Sequence, residues 1–307
     1  MRIRMRPYAG QADQRRMADL VHAHPAGNVH LADLPYRLSS WAFDDPGNIG
    51  LWEDGAGRLL AWAVLQAPFW AIDYADRPDV RDYGIHPMIL TWAVARAQAV
   101  VGTPGGRPAW LVSVRADQSD RQGDLERAGF VRQADWSQVF MARPADAPVP
   151  LAVLPEGFVV RPLAGLSEVA AYTELHRAAF GSENMTTAWR ARTLERPEYI
   201  PDLDLVIVAP GGRLAAFCVG WLDRRGPDGR VLGQVEPLGV LPDFQGQGLG
   251  RAVLLEGLRR MQAHGATLLT VETDTYRDAA FSLYQSAGFR VAHDIWVYRR
   301  DFTARAA

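Results

Sequence analysis

Apolar and polar positions along the chain repeat in one order, twice. "IRMRPY" (Ile3–Tyr8) and "FVVRPL" (Phe158–Leu163) are each a short β-rich run closed by Arg-Pro and followed by a helix-like segment. "IGLWEDGAGRLLAWAVLQ" and "LVIVAPGGRLAAFCVGWL" each place two β-rich runs around a glycine-containing tight turn, which predicts a hairpin. "GDLERAGFVRQADWSQVFMAR" and "SLYQSAGFRVAHDIWVYRR" each predict a helix, then Ala-Gly-Phe, then a strand. Each copy therefore reads strand, helix, hairpin of strands, helix, strand, helix, strand. Three matches in the same order, at a period near half the chain, point to a tandem duplication. Between Met141 and Gly157, the closely spaced Pro144, Pro148, Pro150 and Pro155 forbid a helix and read as a linker. The expected division is a first domain over 1–145, a linker over 146–156 and a second domain over 157–307.

Each copy opens with antiparallel pairing, so the expected fold is a mixed α/β sheet, built twice. A dinucleotide-binding fold would alternate strand and helix from the start and carry its glycines early; here they come after three strands. In the second copy, "PDFQGQGLGRAVLL" (Pro242–Leu255) sets three glycines on alternate positions just before an apolar run of helical spacing. A glycine-rich loop opening a helix is a place for an anion, because the first N–H groups of a helix have no internal partner. The dinucleotide fingerprint fails on spacing: counted from Gly246, its last position is Arg251. A Walker loop needs a lysine, and the chain has none.

What fits is a Q-x-x-G-x-G pattern over Gln245, Gly246, Gln247, Gly248, Leu249 and Gly250, preceded by the strand "QVEPLGVLP". This resembles the GNAT superfamily of acyl-CoA-dependent N-acyltransferases. A second element agrees: Ala280, Leu283, Tyr284, Gly288 and Phe289 match the family's N-x-x-A-x-x-L-Y-x-x-x-G-F segment, with Arg277 in place of the usual asparagine. The resemblance covers most of the second half, and the repeat extends the fold to the first. It implies that the loop receives the coenzyme A pyrophosphate, with Arg251 placed to add charge and main-chain groups at Leu238 and Val240 bonding the pantetheine arm. Acetyl-CoA is then the co-substrate, with a small amine or a peptide as the other partner.

The resemblance also implies the chemistry. Tyr284 matches the tyrosine that supplies a proton to the departing thiolate; the alternative is a helix tyrosine packed on the sheet. An amine is mostly protonated near neutral pH, so a base must take its proton. Glu236, on the strand leading into the loop, is the candidate, and Glu272 in "LTVETD" is its rival. A sheet-end carboxylate paired with an arginine is the other reading of Glu236. In the first copy the loop falls on Arg81-Asp82-Tyr83-Gly84-Ile85-His86, and Leu125 stands where the second copy has Tyr284. Cradle and acid are both degraded there, so catalysis is expected from the second copy. Mycothiol synthases, which also pair two such copies with a stronger second loop, are the alternative within enzymes, without specific support here for their cysteinyl-glycoside acceptor. A non-catalytic acyl-CoA sensor is the alternative from another class, and aminoacyl transfer from tRNA on a doubled fold is disfavoured by the intact loop.

Composition changes this picture little. A net charge of −2 gives no reason to expect nucleic acid or an anionic membrane, and all 33 basic residues are arginine. The only cysteine, Cys218, lies in an apolar run and reads as buried. The N-terminus lacks a signal-peptide core and no apolar run is long enough for a bilayer, so a cytoplasmic monomer or homodimer is expected. His22, His24 and His30 cluster loosely but lack ligand partners at useful spacing, so they read as surface histidines and no metal is expected. Trp62, Trp70, Trp92 and Trp110 are expected in the core. Residues 180–202 occupy the segment that covers the acceptor in the family; Glu183, Met185 and Trp189 are candidates to line it, or else caps and surface contacts.

Overall fold

In the computed structural model residues 1–25 and 30–303 are described, and among them the chain forms twelve strands and eight α-helices in two compact units. The first unit holds β1 (Arg4–Pro7), α1 (Gln11–Ala23), α2 (Leu34–Leu38), β2 (Ile49–Glu53), β3 (Leu59–Gln66), β4 (Ala71–Asp76), α3 (Ile85–Val100), β5 (Ala109–Arg115), α4 (Ser119–Arg127) and the start of β6 (Val131–Pro144). The second holds the end of β6, then β7 (Val159–Pro162), α5 (Val169–Phe180), α6 (Thr187–Leu194), β8 (Asp204–Val208), β9 (Leu214–Asp223), β10 (Leu232–Val240), α7 (Leu249–Ala263), β11 (Leu268–Asp274) and α8 (Asp278–Ser286). Both hairpins expected from the sequence form, as β2–β3 and β8–β9, and each gains a further antiparallel strand, β4 or β10.

The last strand, β12 (Arg290–Asp301), goes elsewhere. From His293 onward the chain belongs to the first unit, where Ile295–Asp301 pair antiparallel with Ala109–Arg115 of β5. Conversely, the second unit begins at Val139, so the end of β6 completes it beside β11. The sheet of the first unit runs β1-β2-β3-β4-β5-β12 and that of the second β6-β11-β10-β9-β8-β7. The repeats have exchanged their final strands, and the compact units divide the chain differently from the boundaries 1–145 and 157–307. Burial accounts for it: Tyr298 and Phe302 sit in the apolar core with Leu90, Trp110 and Phe130, while Val139, Met141 and Ala145 sit in the core with Leu249, Val253 and Phe289.

The shared Ala-Gly-Phe motif is a helix stop. Gly288 has φ 90°, and after α8 the N–H of Phe289 donates to Tyr284 O and that of Gly288 to Gln285 O. This is a Schellman cap, which needs a residue in the left-handed region at the position glycine fills. Phe130 and Gly129 make the same two bonds to Leu125 and Glu126 after α4.

Trp62 and Trp110 are buried, but Trp70 is exposed at a loop, with φ 56°. His30 is not a surface residue: its ring lies 3.1 Å from Asp33 Oδ2 and 3.6 Å from Asp73 Oδ1. The two carboxylates outweigh burial and the opposing charge of Arg37, raising its pKa to about 10.

Candidate active site

The second unit opens at one place in its sheet. β10 runs parallel to β11, but the paired residues stop at Gln234 and Thr270, while both strands continue. Beyond an irregularity at Val235–Leu238, where the Glu236–Pro237 peptide is cis, β10 stays paired only with β9. The N–H of Leu241 donates to Ala215 O at 2.9 Å, which sets the alternation along this ladder. Leu238 and Val240, opposite Cys218 and Ala216, therefore turn their main-chain groups away from β9, towards the open side. The motif's first residue uses one of them: Gln245 Nε2 donates to Val240 O at 3.3 Å.

The glycine loop follows directly. Gly246 (φ 76°) and Gly248 (φ 80°) are left-handed, and Gly248 is the N-cap of α7 with no side-chain cap bond. The first helical bond is Ala252 N–H to Gly248 O, so the N–H groups of Leu249, Gly250 and Arg251 have no acceptor within the helix. Arg251 lies exposed beside them, 3.2 Å from Ser286 Oγ. The result is an exposed turn leading into free donors at the positive end of a fifteen-residue helix, which suits a pyrophosphate. Replacing Gly248 with valine is expected to abolish acetyl-CoA binding in calorimetry, because a β-branched residue resists this left-handed φ and the turn that presents the donors must change.

Glu236 lies on β10 at this opening and Tyr284 on α8, near enough for the charge of the carboxylate to act on the phenol. Tyr284 is only 6% exposed, packed edge-on to Phe289 at 6.0 Å. Burial, then the nearby Glu236 carboxylate and Cys218, push its phenol well above the ordinary value against the opposing charge of Arg277, so it is held protonated. Glu236 is half-buried, and its main-chain oxygen accepts from Trp221 Nε1 at 2.7 Å. The charge of Glu236 also reaches Tyr172 and Arg277. Arg277, at the family's asparagine position, is the N-cap residue of α8 without a side-chain cap bond, and its guanidinium pairs with Asp274 at 2.9 Å. Glu272 sits half-buried on β11. Cys218 is fully buried, and burial pushes its thiol up to about 12.

Two residues here were not singled out in the sequence. Tyr172 on α5 is fully buried, with the Arg190 guanidinium 3.7 Å over its ring. Arg190 is itself fully buried, ion-paired to Asp204, which also accepts from Tyr199 at 2.7 Å. An amphipathic helix such as α5 hides Tyr172 from sequence reading, and nothing in "TTAWRARTL" marks Arg190 as buried. Of the three candidates in residues 180–202, Met185 and Trp189 are buried, and Glu183 is an exposed ion-pair partner of Arg177 at 3.0 Å.

The corresponding turn in the first unit is built differently. Gly84 (φ 76°) again caps a helix start, but His86, in the position of Gly250, bonds Asp76 at 3.0 Å and lies 3.3 Å from Asp124. Asp76 is fully buried and accepts from Arg81 and Arg121 as well. Burial alone would raise its carboxyl; the His86 bond and the two arginines instead hold it well below the usual range. Calorimetry on the unmodified protein is therefore expected to find one equivalent of acetyl-CoA per chain, lost with Gly248→Val and kept when Gly84 is changed.

Among the described residues no cluster of His, Cys, Asp and Glu could hold a metal ion, and no helix is long and apolar enough to cross a membrane. Residues 169–289 match the acetyltransferase (GNAT) family. A mycothiol acetyltransferase of Arthrobacter sp. is 31% identical over 244 residues, covering 76% of this chain and 72% of its own. Another, from Pseudarthrobacter chlorophenolicus, is 29% identical over 260 residues, covering 82% and 76%. A solved tandem GNAT protein from the clavulanic acid biosynthesis pathway shares the fold at TM-score 0.65 and 14% identity, over 98% of each chain.

Proposed function

We propose, for a chain that belongs to the GNAT acetyltransferase family, that its second unit moves the acetyl group of acetyl-CoA to the primary amine of a mycothiol precursor. What supports the chemistry is a buried Tyr284 phenol within the field of Glu236, which stands on β10 where that strand has parted from β11. Leu238 and Val240 hold the pantetheine arm by main-chain bonds. The loop from Gln245 through Gly246, Gln247, Gly248 and Leu249 to Gly250 and Arg251 holds the pyrophosphate. Glu236 takes a proton from the acceptor's ammonium, directly or through one water, leaving a neutral nitrogen that can attack the thioester carbon. As the new C–N bond forms and the C–S bond breaks, Tyr284 gives its phenolic proton to the sulfur. The acceptor assignment rests on the relatives, which are mycothiol acetyltransferases.

Free thiol release from acetyl-CoA, measured against the precursor and a panel of simple amines, aminoglycosides and peptides, tests this reading. The precursor is expected to give much the highest kcat/KM. A better simple amine would move the acceptor class, and coenzyme binding without turnover on any amine would make the protein a sensor. On the acceptor so found, Glu236→Gln is expected to move the acidic limb of the kcat/KM profile from the pKa of the carboxylate up to that of the amine. A carboxylate base is lost as pH falls through its pKa, so without it the rate should simply rise as the amine deprotonates. An unchanged profile would pass the role to Glu272 or to an unassisted amine.

A further inference from the structure

The Schellman cap after α8 satisfies two carbonyls and leaves that of Ala287, the C-cap residue, needing a donor. Arg143, near the end of β6, supplies it: Nη1 donates to Ala287 O at 2.6 Å. Nη2 donates to Ala147 O at 2.8 Å, and Gln262 Nε2 ties the same segment to α7 through Ala147 O at 3.0 Å. Arg143 is buried, and among the described residues it faces no carboxylate; burial lowers its pKa. A buried guanidinium spent on main-chain oxygens is costly unless its position matters. Its charge at the C-terminal end of α8 also complements the helix dipole.

The first unit contains the same device. Arg300, near the end of β12, donates to Ala128 O, the C-cap of α4, beside a Gly129 that matches Gly288. In both units the exchanged strand carries an arginine to the helix stop. Only in the second does that helix bear a tyrosine at the catalytic position, one turn before the bonded carbonyl; the first has Leu125.

We propose that Arg143 is a positioning residue for Tyr284: from the first repeat, it anchors the C-terminal turn of α8 and so fixes where the phenol proton is delivered. This rests on the reading of Tyr284 as proton donor. It assigns the first repeat a part in the reaction that needs no coenzyme of its own.

The test is kinetic and uses the full chain. Arg143→Met is expected to lower kcat about ten- to a hundredfold, the range of a misplaced catalytic group, with KM for acetyl-CoA unchanged. Placed on Tyr284→Phe, it is expected to cost nothing further, since the group it positions is gone. Arg300→Met, which removes the mirror bond in the first unit, is expected to leave kcat unchanged. Equal losses from Arg143→Met and Arg300→Met, or losses at Arg143 and Tyr284 that multiply, would overturn the proposal as a matter of general stability. If Arg143→Met does not fold, Arg143→Lys, which keeps charge and one donor, is compared in the same cycle, with a smaller loss that must still vanish on Tyr284→Phe. A Tyr284→Phe enzyme with normal kcat would instead remove the role of Tyr284, and Arg143's with it.

Discussion

Tyr284→Phe should leave acetyl-CoA binding intact and cut kcat by ~10²–10⁴-fold, the usual contribution of a positioned general acid. The phenol ring sits in the apolar core with Phe289, Leu249 and Val253, so phenylalanine keeps the packing and removes only the proton. The pH dependence should carry a second signature. An acid fails once it deprotonates, and a raised pKa moves that failure to higher pH. Burial and Glu236 raise the Tyr284 pKa above its ordinary value of 10, so the wild-type profile should show no alkaline loss at that value. A falling limb at pH 10, absent in Tyr284→Phe, would mean that the phenol is more hydrated than its burial implies. Normal turnover in Tyr284→Phe would return the residue to a packing role.

Cutting the chain should have an effect of a different kind. A fragment beginning at Pro155 contains every residue of the candidate site, yet it is expected to be aggregated and inactive. It lacks Val139, Met141 and Ala145 from the core of the second unit, and Arg143 from the end of α8. Removing one large core side chain costs about 2–5 kcal/mol, and a whole domain is stable by only about 5–15 kcal/mol. The fragment also carries β12 without its partner β5, leaving Ile295, Val297, Tyr298 and Phe302 uncovered on an unpaired strand. A fragment spanning Val139–Ala292, which is one compact unit, is expected to be monomeric and to bind acetyl-CoA. Gel filtration and calorimetry on the two distinguish the outcomes. A soluble, active fragment from Pro155 would show that the exchanged strands are dispensable.

The two fragments also mark where sequence reading reaches its end. The loop at Gln245–Arg251 was legible because its chemistry is local: glycines at left-handed positions, then a helix whose first donors are free. The Ala-Gly-Phe stops were legible for the same reason, as were both hairpins. Strand exchange was not. β6 and β12 follow the same motif, and alternation along a strand says which face is buried but not which neighbour it pairs with. Arg143 bonds a carbonyl 144 residues away, and no spacing announces such a contact. For His30, Asp33 stands three residues on, but the second carboxylate, Asp73, comes from β4, far along the chain, and the sequence shows no such pair. Tyr172 was missed because a buried aromatic on a helix is ordinary until a buried arginine is found over it.

The pairing of β12 with β5 has a consequence for synthesis on the ribosome. Domains generally fold in the order they emerge, the N-terminal one first. Here the second unit is complete once Ala292 has been made, whereas the sheet of the first cannot close until Asp301 follows. From Arg115 to Asp301 is roughly 190 residues, or about 10–40 s of elongation at ~5–20 residues per second. For that interval β5 presents an open edge, and the half that is made first is finished last.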